Sequence, residues 1–95
     1  MTEDATPLEH QVNTVHEHLS ATAELPVERD ASRWLGEAEA VASDAAAGDL
    51  EAETIRKRIG QVDRLLSEVD GTGHEEADDH VEAARRICRE ILEER

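Results

Sequence analysis

The chain has 95 residues, of which 24 are acidic and 10 are basic, and its formal net charge is −14. A chain of this length supports one hydrophobic core of useful size, so we expect a single domain over residues 1–95. The negative charge argues against a nucleic-acid partner, because such binding depends on cationic groups that displace phosphate counterions.

A first helix is predicted over residues 8–24. Pro7 suits a first helical turn, and Thr6 before it suits the N-cap. Apolar residues then recur at spacings of four, three and four, which places them on one helix face. They are Leu8, Val12, Val15 and Leu19. Residues 1–5 are expected to form a loose tail.

A second helix is predicted over residues 27–47, between Pro26 and Gly48. Its apolar seam is mostly alanine and consists of Val27, Ala31, Trp34, Ala38, Val41 and Ala45. Trp34 is expected to fill the centre of the fold, with Leu35 widening the apolar face beside it. The alternative is that Trp34 and Leu35 form a partly exposed anchor for a partner, because Trp is enriched at binding hot spots.

Two further helices are predicted over residues 50–69 and 74–93. Asp49 suits the N-cap of the third helix. The apolar stripe of that helix is Ile55, Ile59, Val62, Leu66 and Val69, with Leu65 beside it. The stripe of the fourth helix is Ala77, Val81, Ala84, Cys88 and Ile91, flanked by Ile87 and Leu92.

Four helices with short connections must fold back on one another, and no strand pattern competes with them. The sequence therefore predicts an all-α protein, an antiparallel up-down-up-down four-helix bundle. A helical hairpin that dimerises into the same bundle is the structural alternative. The alanine-rich face of the second helix favours such self-association.

The segment "GTGHEEADDH", residues 71–80, concentrates histidines and carboxylates after a glycine-rich break. Thr72 precedes Glu75 by three residues, which is the spacing of a capping box. Asp78 and Asp79 fall in the first turns, where the positive end of the helix dipole favours acidic side chains. Most of this acidity is thus explained by a helix start.

Three residues are candidates for a metal site. Glu76 and His80 share a face of the fourth helix, and His16 borders the stripe of the first, whereas His18 lies off to the flank. If the first and fourth helices pack together, His16, Glu76 and His80 would suit zinc or another divalent transition metal. No further cofactor is indicated.

The spacings Glu76-x-x-Asp79 and Glu90-x-x-Glu93 resemble the magnesium-binding helices of all-α nucleotide pyrophosphohydrolases. In that family, carboxylates from two helices hold Mg²⁺ against a diphosphate. Here both pairs lie on one predicted helix, and chance matches are expected among 24 acidic residues.

Cys88 is the only cysteine and falls on an apolar stripe, so it is expected to be an inert thiol in a reducing compartment. No apolar run reaches the roughly 18 residues of a membrane span, and the acidic first residues do not suit a signal peptide. We expect a cytoplasmic protein with no membrane partner.

Residues 28–44, "ERDASRWLGEAEAVASD", and residues 48–87 resemble a family of small haloarchaeal proteins with no assigned activity. Acidic residues are in excess, and every basic residue except Lys57 is an arginine. This composition is similar to that of cytosolic proteins that work in concentrated KCl. The resemblance implies a halophilic helical protein and transfers no site residues.

Continuous apolar stripes without convergent polar chemistry favour a non-enzymatic helical module for protein–protein contact. Its expected partner is a second copy of the chain, as a homodimer, or a small protein. The alternative is a metal-binding or metal-dependent enzyme bundle around His16, Glu76 and His80.

Overall fold

The computed structural model describes residues 7–48 and 50–93, and every regular element in those ranges is an α-helix. The helices are α1 (Pro7–Thr22), α2 (Arg29–Ala45), α3 (Ala52–Ser67) and α4 (Glu75–Glu93). The four predicted helices are therefore confirmed, with each end within about two residues of its predicted position. The expectations for residues 1–5, Thr6 and Asp49 lie outside the described residues.

Each helix packs against the next along the chain, and α4 returns to pack against α1. The result is the predicted up-down four-helix bundle, about 42 Å long and 21 to 22 Å across. A hairpin that needs a second copy to complete the bundle is not the arrangement observed, because all four helices enclose one core within one chain.

The core is built from the apolar stripes of α1, α3 and α4 much as the sequence predicts. The buried members of these stripes are Val12, Val15, Leu19, Ile55, Ile59, Val62, Leu66, Ala77, Val81, Ala84, Cys88 and Ile91. Leu8 and Val69, at the ends of their stripes, are only partly buried and pack against this core. A periodicity of 3.6 residues was sufficient to find these faces.

The predicted seam of α2 is wrong in part. Its buried residues are Ala31, Leu35, Ala38, Ala42 and Ala45. Trp34 and Val41 are only half-buried, so the buried face is centred one residue further along the chain than predicted. Small alanine side chains favour close packing of neighbouring helices, and a leucine fits such a face more readily than an indole does.

Helix α2 also begins later than Pro26 suggests. Glu28 is the N-cap and has extended backbone dihedrals, with φ −62° and ψ 153°. Its amide donates a hydrogen bond of 2.8 Å to the carbonyl of Thr72 in the connection between α3 and α4. In a helix that began at residue 27, as predicted, the Glu28 amide would lie in the first turn. Here the same amide bonds instead to a distant part of the chain.

At the other end of α2, Gly48 adopts a left-handed conformation with φ 94°. The C-cap of α2 is Ala46, so Gly48, which was predicted as the C-cap, lies two residues beyond it. Residues with a Cβ rarely adopt the conformation of Gly48. None of the four described helices is both long enough and apolar enough to cross a membrane.

Candidate functional site

Two histidines from different helices meet at the interface between α1 and α4. The Nδ1 atoms of His18 and His80 lie 2.9 Å apart, and the two rings are tilted by 49° with centroids 5.1 Å apart. Both side chains are half-buried. This pair is the closest approach of two ring nitrogens among the described hydrogen bonds.

The short contact restricts the protonation of the pair. One Nδ1 must donate a proton and the other must offer a lone pair, so the two imidazoles cannot both be fully protonated in this geometry. Burial lowers the pKa of His18 below its ordinary 6.5, and the nearby His80 lowers it further. Glu17 acts in the opposite direction, and Arg86 adds a smaller lowering effect. The neutral imidazole is therefore favoured at His18.

His16, the predicted partner of His80, faces α2 instead. Its Nε2 lies 3.4 Å from the hydroxyl of Ser20 and 3.9 Å from a carboxylate oxygen of Glu39. The same Ser20 hydroxyl donates to Glu39 at 3.0 Å. His16 thus belongs to a small polar cluster between α1 and α2, on the flank of α1 away from His18.

The structure therefore does not bring the three predicted metal ligands together. Within residues 7–48 and 50–93, no group of three or more His, Cys, Asp or Glu side chains is placed to hold a metal ion. Glu76 is exposed and lies one turn before His80 on α4. The residue that the sequence missed is His18, which takes the position expected for His16.

The start of α4 differs from the predicted capping box. The helix begins at Glu75, so His74 precedes it, and the His74 ring nitrogen Nδ1 accepts a hydrogen bond from the Ala77 amide at 3.4 Å. Thr72 is fully buried and pairs with Asp78, not with Glu75. The predicted capping box is wrong, because the helix starts too late for Thr72 to be its N-cap.

Asp78 is the residue that fixes this corner. Its Oδ1 accepts from the amide and the hydroxyl of Thr72, at 2.9 and 2.8 Å. These two hydrogen bonds lower the pKa of Asp78 below its ordinary 3.8, with a smaller contribution from His74. The predicted role of Asp78, mainly dipole and solvent, was incomplete.

The carboxylates that resemble a magnesium site are on the outside of α4. Glu76, Asp79, Glu90 and Glu93 are all exposed, and none belongs to a metal-holding group in the described part of the chain. The pairs cannot face each other across a substrate, because they belong to a single helix. The pyrophosphohydrolase resemblance thus extends to spacing alone.

The arginine side chains of α4 alternate with acidic side chains. A shallow groove of about 540 Å³ along this one helix is lined by Arg85, Arg86 and Arg89 together with Glu82, Glu90 and Glu93. Arg85 also forms an ion pair with Asp63 of α3, with Nε and Oδ1 3.5 Å apart. Acidic and basic side chains thus alternate along this surface of α4.

Trp34 lies on the border of α2 that faces α3. The opposite border, with Ser32, Gly36 and Glu39, lines a cleft of about 120 Å³ beside the end of α1. On a helical wheel, Trp34 and Val41 lie together on the border of α2 opposite this cleft, which is the border nearer α3. Leu35 is only 4% exposed, so it is part of the core and is not available to a partner.

The class defined by this architecture is a small antiparallel four-helix bundle with an aliphatic core. The chain belongs to a family defined by a domain of unknown function (DUF8152), whose sequence pattern matches residues 11–95. Comparisons with curated proteins and with solved structures found no match.

Proposed function

We propose that this helical domain is a non-enzymatic self-association module whose contact surface is the α2–α3 edge around Trp34. The observation that carries the proposal is the position of Trp34. The buried core of the described residues is formed without it, and the Trp34 side chain is only partly buried. A partly buried Trp beside a complete core suits an anchor that becomes fully buried on association.

The neighbouring residues support an apolar strip at this edge. Val41 lies two helical turns from Trp34 on the same border of α2 and is also half-buried. On α3, Asp63 marks the border that faces α4, because it pairs with Arg85. The opposite border of α3 carries the half-buried Leu65, which extends the strip from α2 onto α3.

Charge along the strip supports a second copy as the occupant. Glu37 is exposed on the α2 side, and Arg58 is half-buried on the α3 side. In a two-fold contact each surface meets its own copy, so Arg58 of one chain can meet Glu37 of the other.

The proposal includes concentrated salt as the working solvent. Two chains of charge −14 repel each other at low ionic strength. At molar salt the Debye length falls to about 3 Å, so this repulsion is screened while apolar contact persists. The acidic surface and the buried single Cys88 are in keeping with a reducing, salt-rich cytoplasm.

Sedimentation velocity in about 0.1 M and about 2 M KCl tests this function. The wild-type chain is expected to sediment as a dimer at high salt, and Trp34→Ala is expected to shift it to the monomer. Gly36→Ala is the matched control, because Gly36 is exposed on the other border of α2 and an added Cβ there meets no atom within 4 Å.

Circular dichroism of each variant separates loss of association from loss of folding. A wild-type chain that remains a monomer at both salt concentrations would overturn the self-association proposal. A dimer that Trp34→Ala leaves intact would show that the contact surface lies elsewhere.

A further inference from the structure

We propose that His18 and His80 form a binding site for a divalent transition-metal ion, which links α1 to α4. The site differs from the His16, Glu76 and His80 set that the sequence suggests, and it is independent of the surface around Trp34. Imidazole nitrogen is a ligand that suits zinc, nickel and copper, whereas magnesium and calcium prefer oxygen.

The geometry of the pair is close to that of a chelate. Two nitrogens bound to one tetrahedral zinc at 2.0 to 2.1 Å stand about 3.3 Å apart. The Nδ1 atoms of His18 and His80 are 2.9 Å apart, so the rings need to separate by only a few tenths of an ångström. The proposal therefore requires only a small change in the side-chain torsion angles of the two histidines.

The short contact between the two rings already directs a nitrogen lone pair into the space where a metal would bind. A metal requires the neutral imidazole, and the contact between the two Nδ1 atoms already needs at least one free lone pair. Both rings are half-buried, so they are held by the helix interface and yet reachable from solvent. The ion would replace the proton that the two nitrogens now share.

Carboxylates near the pair favour a cation. Glu17 is close enough to affect the titration of His18, and the exposed Glu76 lies one turn before His80 on the same helix. Water would complete the coordination, because only two protein nitrogens converge here and no third His, Cys, Asp or Glu of the described residues joins them. The strongly negative surface also raises the local concentration of cations.

A metal held between α1 and α4 would stabilise the folded chain. An ion that binds only the folded state raises its stability in proportion to RT ln(1 + [L]/Kd). A metal at this site would therefore cross-link the first and last helices of the bundle, which are far apart in sequence but adjacent in the fold.

Titration of the full chain, without a histidine tag, with zinc chloride alone tests the site. We expect one Zn²⁺ per chain, with binding weakened by about tenfold or more in His18→Gln and in His80→Gln. His10→Gln is the matched control, because His10 is exposed on α1, and its affinity should equal that of wild type. Zinc should raise the Tm of wild type and His10→Gln but not that of the other two variants.

Nitrogen-15 spectra of the imidazoles give a second readout that does not depend on stability. Zinc should shift the Nδ1 resonances of His18 and His80 and leave those of His10 unchanged. Absence of saturable zinc binding by the wild-type chain would overturn the proposal. Binding that survives either His18→Gln or His80→Gln unchanged would overturn it as well, because a chelate needs both nitrogens.

Discussion

One carboxylate oxygen of Asp78 accepts hydrogen bonds from both the amide and the hydroxyl of Thr72. The carbonyl of Thr72 in turn accepts from the amide of Glu28 at the start of α2. Three segments are thus joined at one buried threonine: the entry to α2, the connection after α3, and the first turns of α4. The acidic segment that follows the glycines therefore has a structural role. Of its four carboxylates, Asp78 is the one that connects these segments.

Substitution of Asp78 should destabilise the bundle more than substitution of its neighbour Asp79. Asp78→Ala and Asp79→Ala each remove one negative charge near the N-terminus of α4, but only Asp78 accepts from Thr72. The Tm of Asp78→Ala should therefore be clearly lower than that of Asp79→Ala. Thermal unfolding followed by circular dichroism measures the difference.

The same pair of variants has a defined pH dependence. The pKa of Asp78 in the folded chain lies below its ordinary 3.8, so its contribution is present above that pH. It is lost as the pH falls through the folded pKa, because the unfolded chain then binds the proton first. If Asp78→Ala and Asp79→Ala unfold identically at neutral pH, the Thr72 joint has no energetic importance.

Gly73 should tolerate alanine less well than Gly71. Both glycines have left-handed backbones, with φ 79° and 104°, so each alanine variant should lose about 1–2 kcal/mol through backbone strain. A Cβ at Gly73 would also stand 2.9 Å from Cγ of Glu28, whereas nothing lies within 4 Å of one at Gly71. Urea denaturation should rank Gly73→Ala as the less stable variant.

A double variant identifies the cause of that difference. Combining Gly73→Ala with Glu28→Ala removes the side chain that the new Cβ would meet, so the excess loss should disappear. Equal losses in the two single variants would contradict the predicted close approach.

The free energy of unfolding should fall as the pH drops below about 6.5. The pKa of His18 is lowered in the folded chain, chiefly by burial and next by His80, so the unfolded chain binds its proton at a higher pH. Stability therefore decreases between the ordinary value of 6.5 and the folded pKa, and His18 has no effect on it well above 6.5.

Urea denaturation between about pH 5 and pH 8 measures this dependence. His18→Gln should flatten the curve in that range, whereas His10→Gln should retain the wild-type slope. A wild-type slope in His18→Gln would mean that other groups cause the acid sensitivity.

Cys88 should react with thiol reagents only when the bundle opens. The thiol is fully buried, and burial raises its pKa from 9.0 to about 12, with Asp63 adding to the effect. The reactive thiolate is therefore scarce and shielded. Labelling with a disulfide reagent should be slow in buffer and should accelerate in urea along with unfolding. Rapid labelling of the folded chain would contradict the buried position.

The sequence predicted the helices and three of the four buried faces, because a helical face repeats every 3.6 residues whatever packs against it. It failed on α2 for a physical reason. When most seam residues are alanine, two adjacent faces are almost equally apolar, and the size of Trp34 made the wrong one look stronger. Only packing against α1 and α3 decides that Leu35 enters the core while Trp34 stays at its edge.

The histidines mark the limit of what the sequence by itself determined. The helical wheel placed His16 at the border of the apolar stripe of α1 and His18 off to the flank, whereas the structure places the two on opposite sides of that stripe. Which flank faces α4 depends on whether the bundle turns to the left or to the right, and the periodicity of single helices is the same for both. The tertiary structure turns the His18 flank toward α4 and the His16 flank toward α2, so His80 meets His18 and His16 meets Glu39.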